Sequence, residues 1–355
     1  MINDVFHADI KYMQIMDESG NIDGALFPKE LTDDMLIEIY KQMNLARSVD
    51  AKVLSLQRQG RAATYAPLLG QEATQIGSAY AMRKDDFFVP NFRQHGVYIA
   101  RKFPLDLFFL YWRGFEEGSA IPSGFNGTPV TVPVSTQLPH AAGLAYAYKY
   151  KGLAHAVITY VGDGGTSEGD FAESLNFSGV FKLPAIFIIE NNQWAISESR
   201  KKQTAAGTLA QKAIAAGIDS IQVDGNDAIA VYKATKDAIE KSASGPTVIE
   251  CITYRMTMHT TSDDPSKYRD QNEVDAWKKR DPILRLSLYL KSKGLWNDDN
   301  ESEMHAAHAK QIDDAVAKAE TFKPNPKSIF ENVFEFTPSI LKDEEQESIS
   351  NGFWQ

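Results

Sequence analysis

Apolar residues recur at helical spacing through "TDDMLIEIYKQMNLARSVDAKVLSLQRQG", which predicts a long helix capped by Thr32 and closed at Gly60. "YAPLLGQEATQIGSAYAMRKDD" predicts a turn and a second helix, and "DLFFLYWRGFEEG" a third. The pattern then changes. "HAVITYV" (155–161), "AIFIIE" (185–190) and "TVIECITY" (247–254) are short, apolar and rich in β-branched residues, with no polar alternation. Strands buried on both faces read this way, and such strands belong to parallel sheets covered by helices. Between the first two lies "SEGDFAESLNFSGVFKL", a helix for which Ser167 is the expected cap and Asp170 its capping-box partner. The expected fold is therefore α/β, with a doubly wound, mostly parallel sheet flanked by helices. Residues 1–30 read as an irregular arm, 31–340 as one domain with helical flanks and 341–355 as a tail. The polar stretches 198–212 and 256–272 read as surface loops.

Composition narrows the function. The chain has 355 residues and a net charge of −10, which disfavours nucleic-acid binding through phosphate neutralisation. Cys251 is the only cysteine, so no internal disulfide is possible. With no signal-type segment at the amino terminus and no long apolar run, the expected location is the cytoplasm.

"GDGGTSEGD" follows the first apolar strand. Gly-Asp-Gly is an ordinary turn, but this one falls at a strand's carboxyl end, where open α/β sheets bind ligands. A helix amino terminus there attracts phosphate, and glycines let a diphosphate approach the backbone. Asp163 would repel that phosphate unless a hard divalent cation stood between them. Mg²⁺ accepts one or two protein oxygens plus phosphate oxygens. "ENNQWAIS" closes the next strand and supplies Asn191 and Asn192 where a second protein oxygen is required.

Gly-Asp-Gly followed at this spacing by Asn-Asn resembles the signature of thiamine-diphosphate enzymes. The surrounding chain, roughly 30–340, resembles the alpha subunit of the decarboxylating component of 2-oxo acid dehydrogenase complexes. The likeness is greatest to the pyruvate-using branch of Gram-positive bacteria, through "YAPLLGQEATQIGSAYAM", "ITYVGDGGTSEGDFAE", "NNQWAIS", "AQKAIAAGI" and "HTTSDDPSKYR". The branched-chain 2-oxo acid and acetoin branches remain alternatives. The resemblance implies thiamine-diphosphate-dependent oxidative decarboxylation of a 2-oxo acid and acyl transfer to a lipoyl group. It assigns Mg²⁺ to Asp163, Asn192 and the backbone oxygen of Trp194. Gly162, Gly164 and Gly165 would line the diphosphate and Arg93 would bind it, a task suited to a fixed, permanently charged fork of donors. Phe92 stands where the family usually has Tyr, so a hydroxyl contact is lost. Val132, Val134 and Ile196 would meet the aminopyrimidine ring. His259 matches a loop histidine that touches the diphosphate and assists acyl transfer, although Thr257-Met258 replaces the usual preceding residues. His95 is a second acid–base candidate. Thr131, Thr136 and Gln137 resemble a K⁺-binding loop. Thr260 occupies a position phosphorylated in eukaryotic members, with no regulatory reading here.

The resemblance also says what is missing. The family's cofactor needs a glutamate from a pyrimidine-binding domain, and no second comparable block exists in this chain. A beta subunit, an α2β2 heterotetramer and a lipoyl domain of the acyltransferase component are the implied partners. A Rossmann oxidoreductase is excluded by Ser167 where a third glycine is needed, and a nucleotide-binding scaffold has no use for Asp163, Asn192 and His259 together. His305 and His308 read as a solvated helix face, His140 as packed or exposed, "LFFLYWRGF" as core or interface, and Cys251 as an inert small hydrophobe.

Overall fold

A computed structural model describes residues 2–352, apart from 326 and 332. Six strands form one sheet: β1 (Lys11–Met13), β2 (Phe87–Val89), β3 (Val157–Gly162), β4 (Ala185–Asn191), β7 (Asp219–Asp224) and β8 (Thr247–Ile252). Their order is β1-β7-β8-β4-β3-β2, and every neighbouring pair is parallel. The two-residue strands β5 (Trp194–Ala195) and β6 (Glu198–Ser199) make a separate antiparallel hairpin.

Alternation along the central strands divides the core. Val157, Val161, Phe187, Ile189 and Val248 pack on one face with α5 (Gln137–Tyr150) and α6 (Gly169–Val180). Ile158, Tyr160, Ile186, Ile188, Ile249 and Cys251 pack on the other. That second face is covered by α1 (Asp33–Arg58), α2 (Glu72–Ala81), α3 (His95–Ala100) and α4 (Leu105–Trp112), and by α7 (Ala228–Lys241). Both faces are filled, which is why these strands carry no polar alternation. Among the described residues, no helix is long and apolar enough to cross a membrane.

Thr32 caps α1 as expected, its hydroxyl accepting from the Met35 amide at 3.3 Å. Two expectations fail. Ser167 does not cap α6; it ends a 3₁₀ turn, Gly164–Ser167, and the helix starts at Gly169 behind an extended Glu168. The cause is local, because the Thr166 amide and hydroxyl both return to the Asp163 carbonyl and tighten the turn. The arm is not irregular throughout. Lys11–Met13 pair with Ile221–Val223, and Asp227 accepts from the Ile15 and Met16 amides at 2.7 Å each. The tail, too, contains a helix, Ser339–Ser350.

Candidate functional site

Register brings the chemistry to one edge. Gly162 pairs with Glu190 and Asn191 with Ile252, so the ends of β3, β4 and β8 lie side by side. The pairing continues past the strands, with the Thr253 amide donating to the Asn191 carbonyl and the Arg255 amide to that of Asn192. Asp163, Asn192, Arg93 and Arg255 are all buried there.

Asp163 is 2% exposed, and burial raises its carboxyl above the usual range. Gln203 donates its amide to Oδ2 at 2.6 Å. Asn192 donates Nδ2 to Gln71 at 3.0 Å, which turns its Oδ1 toward the Trp194 amide at 3.3 Å. The hairpin after Asn192 turns at Ile196, a β-branched residue with φ of 53°. Such a residue in the left-handed region is strained and persists only where its surroundings impose it. Here Arg255 bonds the carbonyls of Trp194 (3.1 Å) and Ile196 (2.7 Å). The Trp194 carbonyl is therefore shared with a cation, which weakens it as a metal ligand.

The three glycines differ in the room beside their α-carbons. A Cβ on Gly164 would lie 2.5 Å from that of Ala195, and one on Gly165 would lie 2.5 Å from Val161 Cγ2. Both positions are filled by protein. A Cβ on Gly162 would meet nothing within 4 Å, so close approach by a ligand is open at Gly162.

Arg93 donates to the Pro67 carbonyl at 2.6 Å and to Nδ1 and the carbonyl of His259 at 3.0 Å each. Arg255 reaches the same Nδ1 at 3.3 Å. No carboxylate oxygen lies within ion-pairing distance of either guanidinium among the described residues. Burial, then Arg255, pushes Arg93 down to about 10. Two buried cations without a bonded counter-ion make this a candidate anion site, because a buried charge needs a partner. Burial and both arginines drive His259 down to about 3, leaving it neutral. Asp263 holds its loop, accepting from the His259 amide and the Tyr268 hydroxyl.

Phe92 meets the His259 ring edge-on at 5.9 Å. Beside it a cavity of about 350 Å³ is lined by Tyr65, Phe92, Trp112, Val132 and Thr260, among others. Val132, Val134 and Ile196 are 58%, 51% and 57% exposed, an apolar fringe around the site.

His95 does not join this group. It is 1% exposed, stacks on Tyr65 at 4.9 Å, donates to the Ala66 carbonyl at 2.9 Å, and is pushed by burial to about 3. Its placement is structural. Of the K⁺ residues, Thr136 donates its hydroxyl to the Pro133 carbonyl and Gln137 its amide to that of Tyr160, while Gln137 Oε1 is buried without a partner. His305 is an exposed partner of Glu301, and His308 packs at 8% exposure. Sequence reasoning missed Arg255, Gln71 and Gln203. Only Arg255 carried a signal, as a lone cation three residues beyond β8.

An α/β sheet whose strand ends gather one carboxylate, one amide oxygen and two unpaired guanidinium groups is built for an anionic cofactor. The chain matches the family model described as "Dehydrogenase E1 component" over residues 40–327, and it belongs to that family. It is similar to the "Pyruvate dehydrogenase E1 component subunit alpha" of Staphylococcus aureus (strain Mu50 / ATCC 700699), 43% identical over 97% of this chain and 94% of the relative. The protein of that name from Staphylococcus epidermidis (strain RP62A) is 44% identical over 94% and 91%.

Proposed function

We propose that this chain is the alpha subunit of a thiamine-diphosphate-dependent 2-oxo acid dehydrogenase, acting on pyruvate and passing an acetyl group to a lipoyl arm. The observation that carries the reading is the convergence of Arg93 and Arg255 on His259, beside Asp163 and Asn192. The residues fit the cofactor. Arg93 and Arg255 would neutralise its diphosphate, which Gly162 lets approach. Asp163 and the Asn192 oxygen would hold Mg²⁺, with the Trp194 carbonyl as a weaker third ligand. One carboxylate alone is too little for Mg²⁺, which fills its remaining positions with phosphate oxygens and water.

When bound, thiamine diphosphate supplies the electron sink for loss of carbon dioxide. The chain's own residues bind and orient. Neutral His259 keeps its proton on Nε2, where it can donate to an oxygen of the cofactor or substrate. The fringe of Val132, Val134 and Ile196 would be covered by a beta subunit, whose glutamate completes the site in an α2β2 assembly. A lipoyl domain then enters from the same side. We place the enzyme in the cytoplasm, where the buried Cys251 thiol is undisturbed.

The test is reduction of an artificial electron acceptor by the α–β complex with thiamine diphosphate and Mg²⁺. Pyruvate, 3-methyl-2-oxobutanoate and acetoin are offered in parallel. Turnover should favour pyruvate and collapse with Asp163→Ala. Turnover unaffected by that change would overturn the reading.

A further inference from the structure

Beneath Arg93 lies a buried polar cluster, closed to solvent, that reaches Arg93 only through its backbone. Glu190, the last residue but one of β4, is 2% exposed. Its Oε2 accepts from Gln94 at 2.9 Å and from Gln75 at 3.4 Å, and Oε1 has no partner. The two amides grip the turn that carries Arg93. Gln94 accepts from the Asn91 amide at 2.8 Å. Gln75 donates to the Arg93 carbonyl at 3.0 Å and accepts from the Gly96 amide at 2.8 Å. Gly96 is required there, because a Cβ would stand 2.9 Å from Gln75 Oε1. Three backbone groups of residues 91–96 are thus held by two side-chain amides.

Burying a carboxylate is costly, and a strand end could have carried an apolar residue in its place. The cost has a counterpart. Gln94 and Gln75 each present an NH₂ to the same point, and only an acceptor without protons satisfies both. An ionised or amide oxygen at position 190 fixes which way each amide faces, and so fixes the turn. Arg93 depends on that rigidity, since its guanidinium is held only by Pro67 and by His259 on a separate loop, with no bonded counter-ion.

We infer that Glu190 is a positioning residue for the anion site, aiming Arg93 through Gln94 and Gln75 without touching the ligand. The inference rests on the proposed role of Arg93 in diphosphate binding, so the experiment separates the two. The α–β complex is titrated with inorganic pyrophosphate and Mg²⁺ by calorimetry.

Arg93→Ala should weaken pyrophosphate binding on the order of a hundredfold, and Glu190→Met by about tenfold. Glu190→Gln keeps an acceptor oxygen and should stay within about threefold of the parent. In the Arg93→Ala background, Glu190→Met should add less than about twofold, because its effect is carried by Arg93. Gln94→Met gives the same test from the other end of the link, should Glu190→Met fail to assemble.

Unaltered binding in Arg93→Ala would overturn the diphosphate reading. A loss in Arg93→Ala with none in Glu190→Met or Gln94→Met would overturn the positioning role alone. Losses that add fully in the double variant would also overturn it, by showing general damage.

Discussion

Nδ1 of His259 lies 3.0 Å from the Arg93 guanidinium, and guanidinium has only donors. The nitrogen must therefore accept, and the ring is neutral with its proton on Nε2. Protonating it would set a third cation beside Arg93 and Arg255, and with burial this holds the ring down to about 3.

An anion at this site reverses the balance. Pyrophosphate should raise the His259 pKa from about 3 toward the ordinary value near 6.5. Binding then takes up a proton, so pyrophosphate affinity should gain a component that strengthens as pH falls. Affinity measured from pH 8 to about 6, compared with His259→Gln, isolates it. Parallel curves in the two proteins would refute the coupling.

Metal and diphosphate should bind as a pair. Asp163 is the single carboxylate assigned to the metal, and its Oδ2 is engaged by Gln203. Mg²⁺ alone should bind only at about millimolar concentration, and pyrophosphate should tighten it by about tenfold or more, reciprocally. Asp163→Asn should abolish that mutual gain while leaving pyrophosphate held by Arg93. Calorimetry of each ligand in the presence and absence of the other reads it directly.

Two glycines two residues apart should fail in different ways. Gly164→Ala drives a Cβ to 2.5 Å from that of Ala195, forcing the Trp194–Ala195 hairpin away. Overpacking of this kind costs about 1–3 kcal/mol, visible as a lower melting temperature. Gly162→Ala meets open space, so its melting temperature should match the parent. Its thiamine-diphosphate affinity should fall, however, if the diphosphate occupies that space. Normal cofactor binding in Gly162→Ala would place the diphosphate elsewhere.

Acid stability should report His95. Its folded pKa, about 3, is below the unfolded value near 6.5. Its contribution is therefore complete above about 6.5 and is lost as pH falls toward 3, at about 1.4 kcal/mol per pH unit. Asp50 and Glu190, pushed up by burial to about 7, act in the opposite sense over the upper part of the same range. His95→Asn removes only the first component. Its melting temperature relative to the parent's should therefore rise as pH falls from 7 to about 5.

The central strands were legible because both their faces are buried, leaving unbroken apolar runs. β7 was not, since "DSIQVD" alternates and is half exposed at its start. β1 was hidden for another reason: three residues of "KYM" have no pattern of their own and form a strand only against Ile221–Val223. At the site, Asp163, Asn192 and Arg93 could be anticipated from spacing and likeness. Gln71 and Gln203 could not, because their roles come from bonds across long sequence separations, and Arg255 offered only its place just beyond β8. His95 misled in the same way, since its aromatic box of Tyr65, Phe108 and Trp112 is assembled only by the fold.

The most direct test is carbon dioxide release from carboxyl-labelled pyruvate by this chain, alone and with its beta subunit, with thiamine diphosphate and Mg²⁺. The account predicts release only when both subunits and the cofactor are present, with the exposed fringe of Val132, Val134 and Ile196 covered by the partner. Equal release by the chain alone would contradict the divided site. No release in any combination, with no cofactor bound, would contradict the enzyme itself.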